Sequence, residues 1–258
     1  MANRYIYGGF MDLGEGRENQ EDYINCMELG KNAVFCVIAD GSGSAAGYPQ
    51  PAPLVVNEIS DDITDMFREH RELFLTDPVF FLKKAMLNAN KVLGGFKIGN
   101  EELFSGYSAS LSCIFICRDG AKNRFYLSHS GNTRIYLLTN GRLMQLTQDH
   151  TAGAQMLLEG KIDEEMYYTL PDRLKLTSGL GVLWEPQIQT RKGVFRPTDL
   201  IVMTTDGVHY AIRPEGISAL ILDSQDCASA AEALIGGAKE FRYPDNMSAI
   251  VIQDSIRD

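Results

Sequence analysis

Apolar positions in this chain fall into two regimes. Short runs rich in β-branched and aromatic residues occupy 5–11, 23–29, 33–39, 107–117, 124–130, 134–139, 187–195, 200–205 and 248–253, which is the pattern of strands. Asn140-Gly141 separates Ile135-Tyr136-Leu137-Leu138 from Leu143-Met144-Gln145-Leu146. Asn and Gly tolerate the positive φ of a two-residue hairpin turn, so these two strands are expected to be antiparallel. Longer, helical spacing appears elsewhere. Leu54, Val55, Ile59, Ile63, Met66 and Phe67 recur with it after Pro49, Pro51 and Pro53, and Phe80, Phe81, Lys84, Leu87, Asn88 and Lys91 recur after Asp77-Pro78, a capping residue and a first-turn proline. Two further helices are expected at 214–222 and 227–241. Strands, two helices, many strands, two helices and a last strand describe an antiparallel sheet system with helices packed outside it. The segment 151–176 is weakly patterned and contains Gly160, and reads as a short helical flap over a sheet edge. No repeat or low-complexity tract interrupts the chain, and residues 1–258 are expected to form a single domain.

Composition narrows the function without naming it. With 45% hydrophobic and 22% charged residues the chain has the balance of a soluble globular protein. A formal net charge of -10 argues against a nucleic-acid partner, because affinity for a phosphate backbone comes from Lys and Arg. There is no run of 18 apolar residues and no apolar segment with a cleavage site at the start, so a cytoplasmic protein with no membrane partner is expected. The five cysteines, 26, 36, 113, 117 and 227, are an odd number lying mostly within apolar runs, which suits reduced, buried thiols better than a disulfide framework. Cys113 and Cys117 share one strand face, but a zinc site needs two more ligands and none stands at a suitable spacing.

The candidate chemistry lies in carboxylates. Glu21-Asp22, Asp40-Gly41, Asp206-Gly207 and Asp245-Asn246 each stand where an apolar run begins or ends. A carboxylate at a strand terminus projects from a rigid element into the cleft at the sheet end, and hard divalent cations prefer such oxygen ligands. The glycine-rich stretch 40–47 fits no common nucleotide or calcium loop. Its third glycine comes one residue late for a dinucleotide fingerprint, it lacks the Gly-Lys-Ser/Thr ending of a P-loop, and Pro51 stands where a calcium loop needs an acid. Neither Ser42 nor Ser108 sits in a Gly-x-Ser-x-Gly elbow. What remains is an aspartate at a strand end, followed by glycines that let backbone approach a bound ion. Arg17, five residues before Asp22, would offer a planar fork to a phosphoryl group.

In order along nearly the whole chain, these residues resemble the motifs of the metal-dependent Ser/Thr protein phosphatases of type 2C, in particular bacterial members. Arg17 with Glu21-Asp22 is similar to the family's Arg-x-x-x-Glu-Asp, and Val37-Ile38-Ala39-Asp40-Gly41 to its strand ending in Asp-Gly. Ser105 to Ala109, Gln145 to His150, the 154–181 segment, Thr204-Thr205-Asp206-Gly207-Val208 and Asp245-Asn246-Met247-Ser248 resemble the remaining motifs. The resemblance implies an α+β fold, a four-layer α-β-β-α sandwich of two antiparallel sheets face to face with helical pairs outside. It implies two Mn²⁺ or Mg²⁺ ions held by Glu21, Asp40, the Gly41 carbonyl, Asp206 and Asp245, which activate a water against phosphoserine or phosphothreonine. Arg17 would clamp the phosphoryl oxygens, and Asp22 would orient the waters on the metal. A phosphoprotein substrate, a Ser/Thr kinase or its target as partner, and a monomer are the corresponding expectations. Three departures stand out. Gly131-Asn132-Thr133-Arg134 replaces the usual Gly-Asp-Ser-Arg, removing a carboxylate that serves a third cation in many bacterial members; Gly43-Ser44 alters a Gly-Gly pair; and Ser42 stands where animal members have a His. These departures support an alternative, a weak or inactive member that binds a phosphoprotein or nucleotide as a regulatory module. The retained carboxylates oppose it.

Overall fold

The computed structural model describes residues 4–43 and 45–255, with the side chains of Glu164 and Tyr168 excepted. Ser44, one of the altered glycine-loop positions, lies outside the described residues. In chain order the elements are β1 (Tyr5–Asp12), β2 (Asp22–Glu28), β3 (Ala33–Ser42), α1 (Pro51–Glu69), α2 (Arg71–Thr76), α3 (Pro78–Lys97), β4 (Ser108–Asp119), β5 (Lys122–Ser130), β6 (Arg134–Thr139), β7 (Arg142–Gln145), α4 (Ala152–Leu158), α5 (Glu164–Thr169), β8 (Gln189–Phe195), β9 (Leu200–Thr204), α6 (Asp206–His209), α7 (Pro214–Leu222), α8 (Cys227–Glu240) and β10 (Met247–Asp254). Two five-stranded sheets form, ordered β1-β10-β9-β6-β7 and β2-β3-β4-β5-β8, and their strand pairings are antiparallel.

The sheets face each other across a shared apolar layer. Val34, Cys36 and Ile38 of β3 and Ile114 and Ile116 of β4 meet Ile201 and Met203 of β9 and Ile250 and Ile252 of β10 there. The alternate residues of β3, Phe35 and Val37, point the other way, into a second layer with Val55, Ile59, Leu82 and Met86 of α1 and α3. Both faces of β3 are therefore covered, which explains why its sequence is a continuous apolar run rather than an alternation. On the far side of the first sheet, Val202, Ala249 and Val251 pack against Ala231, Leu234 and Ile235 of α8 and Ile217 of α7. The result is the four-layer α-β-β-α sandwich. The Asn140-Gly141 turn has φ of 48° and 73° and joins β6 to β7 with Thr139 opposite Arg142, as the hairpin reading requires.

Helix α3 starts where Asp77-Pro78 places it, with the Asp77 side chain accepting from the Phe80 N–H at 3.3 Å. Its buried stripe is not the one that the sequence spacing picked out, however. Leu82, Ala85, Met86, Ala89 and Leu93 face the core, while Phe80 is exposed. The two alanines let the helix lie close to its neighbours, and a stripe built on small residues gives a weak hydrophobic signal. The short helices α2 and α6 also had no sequence signature. The 151–176 segment carries α4 and α5, and among the described residues no helix is long and apolar enough to cross a membrane.

Candidate active site

The carboxylates converge where β2, β3, β9 and β10 reach one end of the sandwich. Asp22 opens β2 and stands directly opposite Asp40 of β3. Asp206 follows β9 as the first residue of α6, whose N-terminal position is favourable for a negative charge. Asp245 precedes β10. Asp40 lies within electrostatic reach of Asp206, Asp22, Asp245 and Glu21, and these charges add to burial to raise its carboxyl well above the usual range. Burial, opposed by hydroxyl hydrogen bonds and reinforced by Asp206 and Asp245, pushes Asp22 up to about 7. Asp206 is pushed up to about 7 mainly by burial and then by Asp245. Asp245 is raised by burial, against which Arg17 acts in the opposite direction. Five acidic side chains concentrated this way repel one another, and the electrostatic remedy is a cation.

Hydrogen bonds set the detailed geometry. Asp22 is almost fully buried, and one of its oxygens accepts from the Thr205 and Ser248 hydroxyls, both at 2.7 Å. Thr205 Oγ1 accepts in turn from the Ser248 N–H at 2.9 Å. Asp22 thus ties β2 of one sheet to the ends of β9 and β10 in the other. Asn246 pins the 13–21 loop: its Oδ1 accepts from the Glu21 N–H at 2.8 Å, and its Nδ2 donates to the Leu13 and Asn19 carbonyls at 2.6 and 3.1 Å. Gly207 makes this packing possible, because a Cβ there would meet the Asn246 carbonyl oxygen at 2.0 Å. Arg17 donates to Asp245 through Nη2, and its Nε donates to the Pro244 carbonyl at 3.0 Å; the third guanidinium nitrogen, Nη1, is 3.8 Å from Glu21. The fork predicted for a phosphoryl group therefore lies at the edge of the carboxylate cluster.

Asn132 enters from the β5–β6 turn. Its Nδ2 donates to Asp206 Oδ2 at 3.0 Å, while its Oδ1 is buried with no hydrogen-bond partner. The turn is held by Ser110, whose Oγ accepts from the Asn132 and Thr133 N–H groups at 2.8 and 2.7 Å. Gly131 there has a φ of 116°, and a Cβ would meet Ser110 Oγ at 2.3 Å, so the turn tolerates no side chain. Next along, Arg134 makes a forked contact with Asp149, at 2.8 and 2.6 Å, and lies over the Tyr210 ring. This pair lines a cleft of about 910 Å³ between β7, the 151–176 segment and α7, and none of the clustered carboxylates opens into it.

As the side chains stand, no three His, Cys, Asp or Glu among the described residues are grouped so that they could hold one ion. Several of the oxygens are occupied within the protein: Asp245 by Arg17, Asp206 by Asn132 and Asp22 by two hydroxyls. The donor set still fits a hard divalent cation, since it is entirely oxygen and its members raise one another's pKa. Sequence reasoning passed over Ser110, and it gave Thr205, Ser248 and Asn246 no role of their own although they stand within the quoted motifs. They are isolated polar residues at the ends of apolar strands, and periodicity carries no signal for them.

No protein-family profile matches the chain. Its sequence is 23% identical over 246 residues to a serine/threonine phosphatase, stp, of Listeria welshimeri, covering 95% of this chain and 94% of that protein. Its fold matches a serine/threonine phosphatase of S. agalactiae with a TM-score of 0.84 at 19% identity, covering 96% of this chain and 99% of that one. It also matches the catalytic domain of the serine/threonine protein phosphatase PstP in complex with two manganese ions, with a TM-score of 0.72 at 24% identity, over 96% and 97% of the two chains. The chain thus has the fold of these serine/threonine phosphatases. By sequence its similarity is to bacterial Ser/Thr phosphatases, along nearly the whole length, as its ordered motifs imply.

Proposed function

We propose that this protein is a metal-dependent phosphoprotein phosphatase that hydrolyses phosphoserine and phosphothreonine esters. The observation that carries the reading is the convergence of Glu21, Asp22, Asp40, Asp206 and Asp245 at one end of the paired sheets, with the Arg17 guanidinium at the edge. Glu21, Asp40, the Gly41 carbonyl, Asp206 and Asp245 are the groups that would hold two Mn²⁺ or Mg²⁺ ions. When bound, such ions supply positive charge to phosphoryl oxygens and lower the pKa of water.

The protein's own residues then have distinct tasks. Arg17 binds and orients the phosphoryl oxygens, exchanging its contact with Asp245 for the substrate. Asp22, held by Thr205 and Ser248, fixes the distance between the two sheets at the site and offers its other oxygen as a proton acceptor. Asn132 supplies an amide where a carboxylate would bring charge, so a third cation beside Asp206 is bound weakly. The substrate is a phosphoprotein, with a Ser/Thr kinase or that kinase's target as functional partner. The protein acts as a monomer in the cytoplasm, in a single domain whose 151–176 segment serves as the flap. The reading as an inactive binding module is weaker, because a cage of carboxylates is costly to keep unless cations fill it. Mn²⁺-dependent turnover of p-nitrophenyl phosphate and of a phosphothreonine peptide separates the two. Turnover of both supports the enzyme; binding of the phosphopeptide without turnover would leave the module.

A further inference from the structure

The ladder that carries Asp22 and Asp40 also carries a pair of thiols. Cys26 of β2 stands directly opposite Cys36 of β3, two rungs beyond Ile24 and Ile38 counted from the acidic pair by alternate positions. Gly41 N–H donates to the Glu21 carbonyl and Leu29 N–H to the Ala33 carbonyl, both at 3.0 Å, between directly opposite residues. The hydrogen-bonded rungs are therefore those of odd-numbered residues, and Cys26–Cys36, like Asp22–Asp40, is a non-hydrogen-bonded rung. At such a rung the Cα atoms lie about 4.5 Å apart with the side chains on the same face, inside the range that a disulfide spans. The two thiols are close enough for Cys26 to add to burial in raising the Cys36 pKa.

No other cysteine competes for this geometry. Cys36 points into the layer between the sheets, with Cys26 packed at its margin. Cys113 and Cys117 lie on the opposite face of their sheet, under α1 and α3, and Cys227 is the first residue of α8, buried against the other sheet. Cys26 is half-buried on an edge strand, so a small oxidant reaches it, whereas Cys36 is buried.

We propose that Cys26 and Cys36 are a redox modification site, a reversible cross-strand disulfide formed by a hydroperoxide and opened by a thiol reductant, that regulates the acidic cluster on the same ladder. The regulatory half rests on the phosphatase reading; the disulfide does not. The Cys26 thiolate attacks one peroxide oxygen, an S–O bond forms, the O–O bond breaks and hydroxide leaves to become water. The Cys36 sulfur then attacks Cys26 Sγ, the S–S bond forms and the S–O bond breaks, and the departing hydroxide takes the Cys36 proton as a second water. Two thiols are oxidised and one peroxide is reduced. Burial holds the Cys36 thiol well above its usual pKa, which makes Cys26 the group that meets the oxidant.

Closing the bridge draws the Cβ atoms from about 4.5–5.5 Å to about 3.8 Å. Because β2 is an edge strand with one partner, it is β2 that moves, and it carries Asp22 and the Glu21 loop with it. The acidic rung is four residues away, roughly 14 Å along the strand, close enough for a rigid-body shift of β2 to be felt.

The test treats the purified full chain with hydrogen peroxide, blocks free thiols, maps peptides by mass, and follows p-nitrophenyl phosphate turnover with Mn²⁺ before and after dithiothreitol. Cys26→Ser and Cys36→Ala are run alongside. The proposal expects a peptide pair linked through Cys26 and Cys36, and a loss of turnover that dithiothreitol restores and neither variant shows. Oxidation without that linked pair would overturn the site, and a linked pair with unchanged turnover would overturn its regulatory role. If the reduced protein has no turnover at all, it is the phosphatase reading that fails, while the peptide map still decides the disulfide.

Discussion

Asn246 is the residue whose replacement should reveal most about how the site is assembled. Its side chain is buried and makes three hydrogen bonds, one from the Glu21 N–H and two to the Leu13 and Asn19 carbonyls. Together they bind the loop carrying Arg17 and Glu21 to the strand that follows Asp245. At about 0.5–1.5 kcal/mol for each hydrogen bond, their removal in Asn246→Ala should cost roughly 1.5–4.5 kcal/mol of folding stability. Asn246→Asp is nearly isosteric and keeps an acceptor for Glu21 N–H, but it turns two donors into acceptors facing carbonyls and adds a charge to an acidic cluster. It should cost more than Asn246→Ala if the donors matter more than the volume.

Urea unfolding of the three proteins, with m-values compared to exclude a change in the denatured state, gives these differences directly. The same variants should need more Mn²⁺ for half-maximal turnover, because the backbone that positions Glu21 is no longer tied down. An Asn246→Ala protein within about 0.5 kcal/mol of the wild type, the range of ordinary surface changes, would refute the claim that this side chain organises the loop.

Arg17→Ala should raise KM and lower kcat together on a phosphopeptide, with Arg17→Lys recovering only part, since an ammonium lacks the fork; wild-type kinetics in both would show that Arg17 does not bind the phosphoryl group. Asn132→Asp should bind an additional Mn²⁺, counted by calorimetry, and raise kcat at millimolar Mn²⁺; superimposable titrations would show that the substitution is silent. His129 is buried, and its pKa is lowered to about 3, first by burial and then by the nearby His150. Being depressed below the ordinary value of 6.5, it contributes stability above that pH that is lost as pH falls toward about 3. Between pH 7.5 and 5.5 the wild type should therefore lose about 1 kcal/mol relative to His129→Gln, and parallel pH profiles of unfolding would contradict this.

Much of this architecture was legible in the sequence because the strands are unusually well marked. The 134–139 run coincides with β6, and Asn140-Gly141 has the positive φ values that its turn demands. The other strand expectations differ from the observed ends by a few residues. Helices of four and six residues, α6 and α2, are too short to show a period. The face of α3 was missed because Ala85 and Ala89 form the buried stripe while Phe80, the larger hydrophobe, is exposed. The acidic residues announced themselves by their place at strand ends. Thr205, Ser248 and Asn246 stood within the quoted motifs, but their role in holding those acids and their loop was not legible, because it depends on pairing across the two sheets between residues about 180 to 230 positions apart.

The central claim is that the carboxylate cluster works by holding divalent cations, and it is tested most directly by one titration. Chelator-stripped protein is mixed with a phosphothreonine peptide and Mn²⁺ is added stepwise, with released phosphate and bound metal measured on the same samples, for the wild type and for Asp40→Asn. The account predicts no phosphate release from stripped protein, recovery that follows the occupancy of two ions, and a loss of at least about two orders of magnitude in rate for Asp40→Asn with the fold intact. Full turnover of the stripped wild type in excess chelator, or near wild-type turnover by Asp40→Asn, would contradict it.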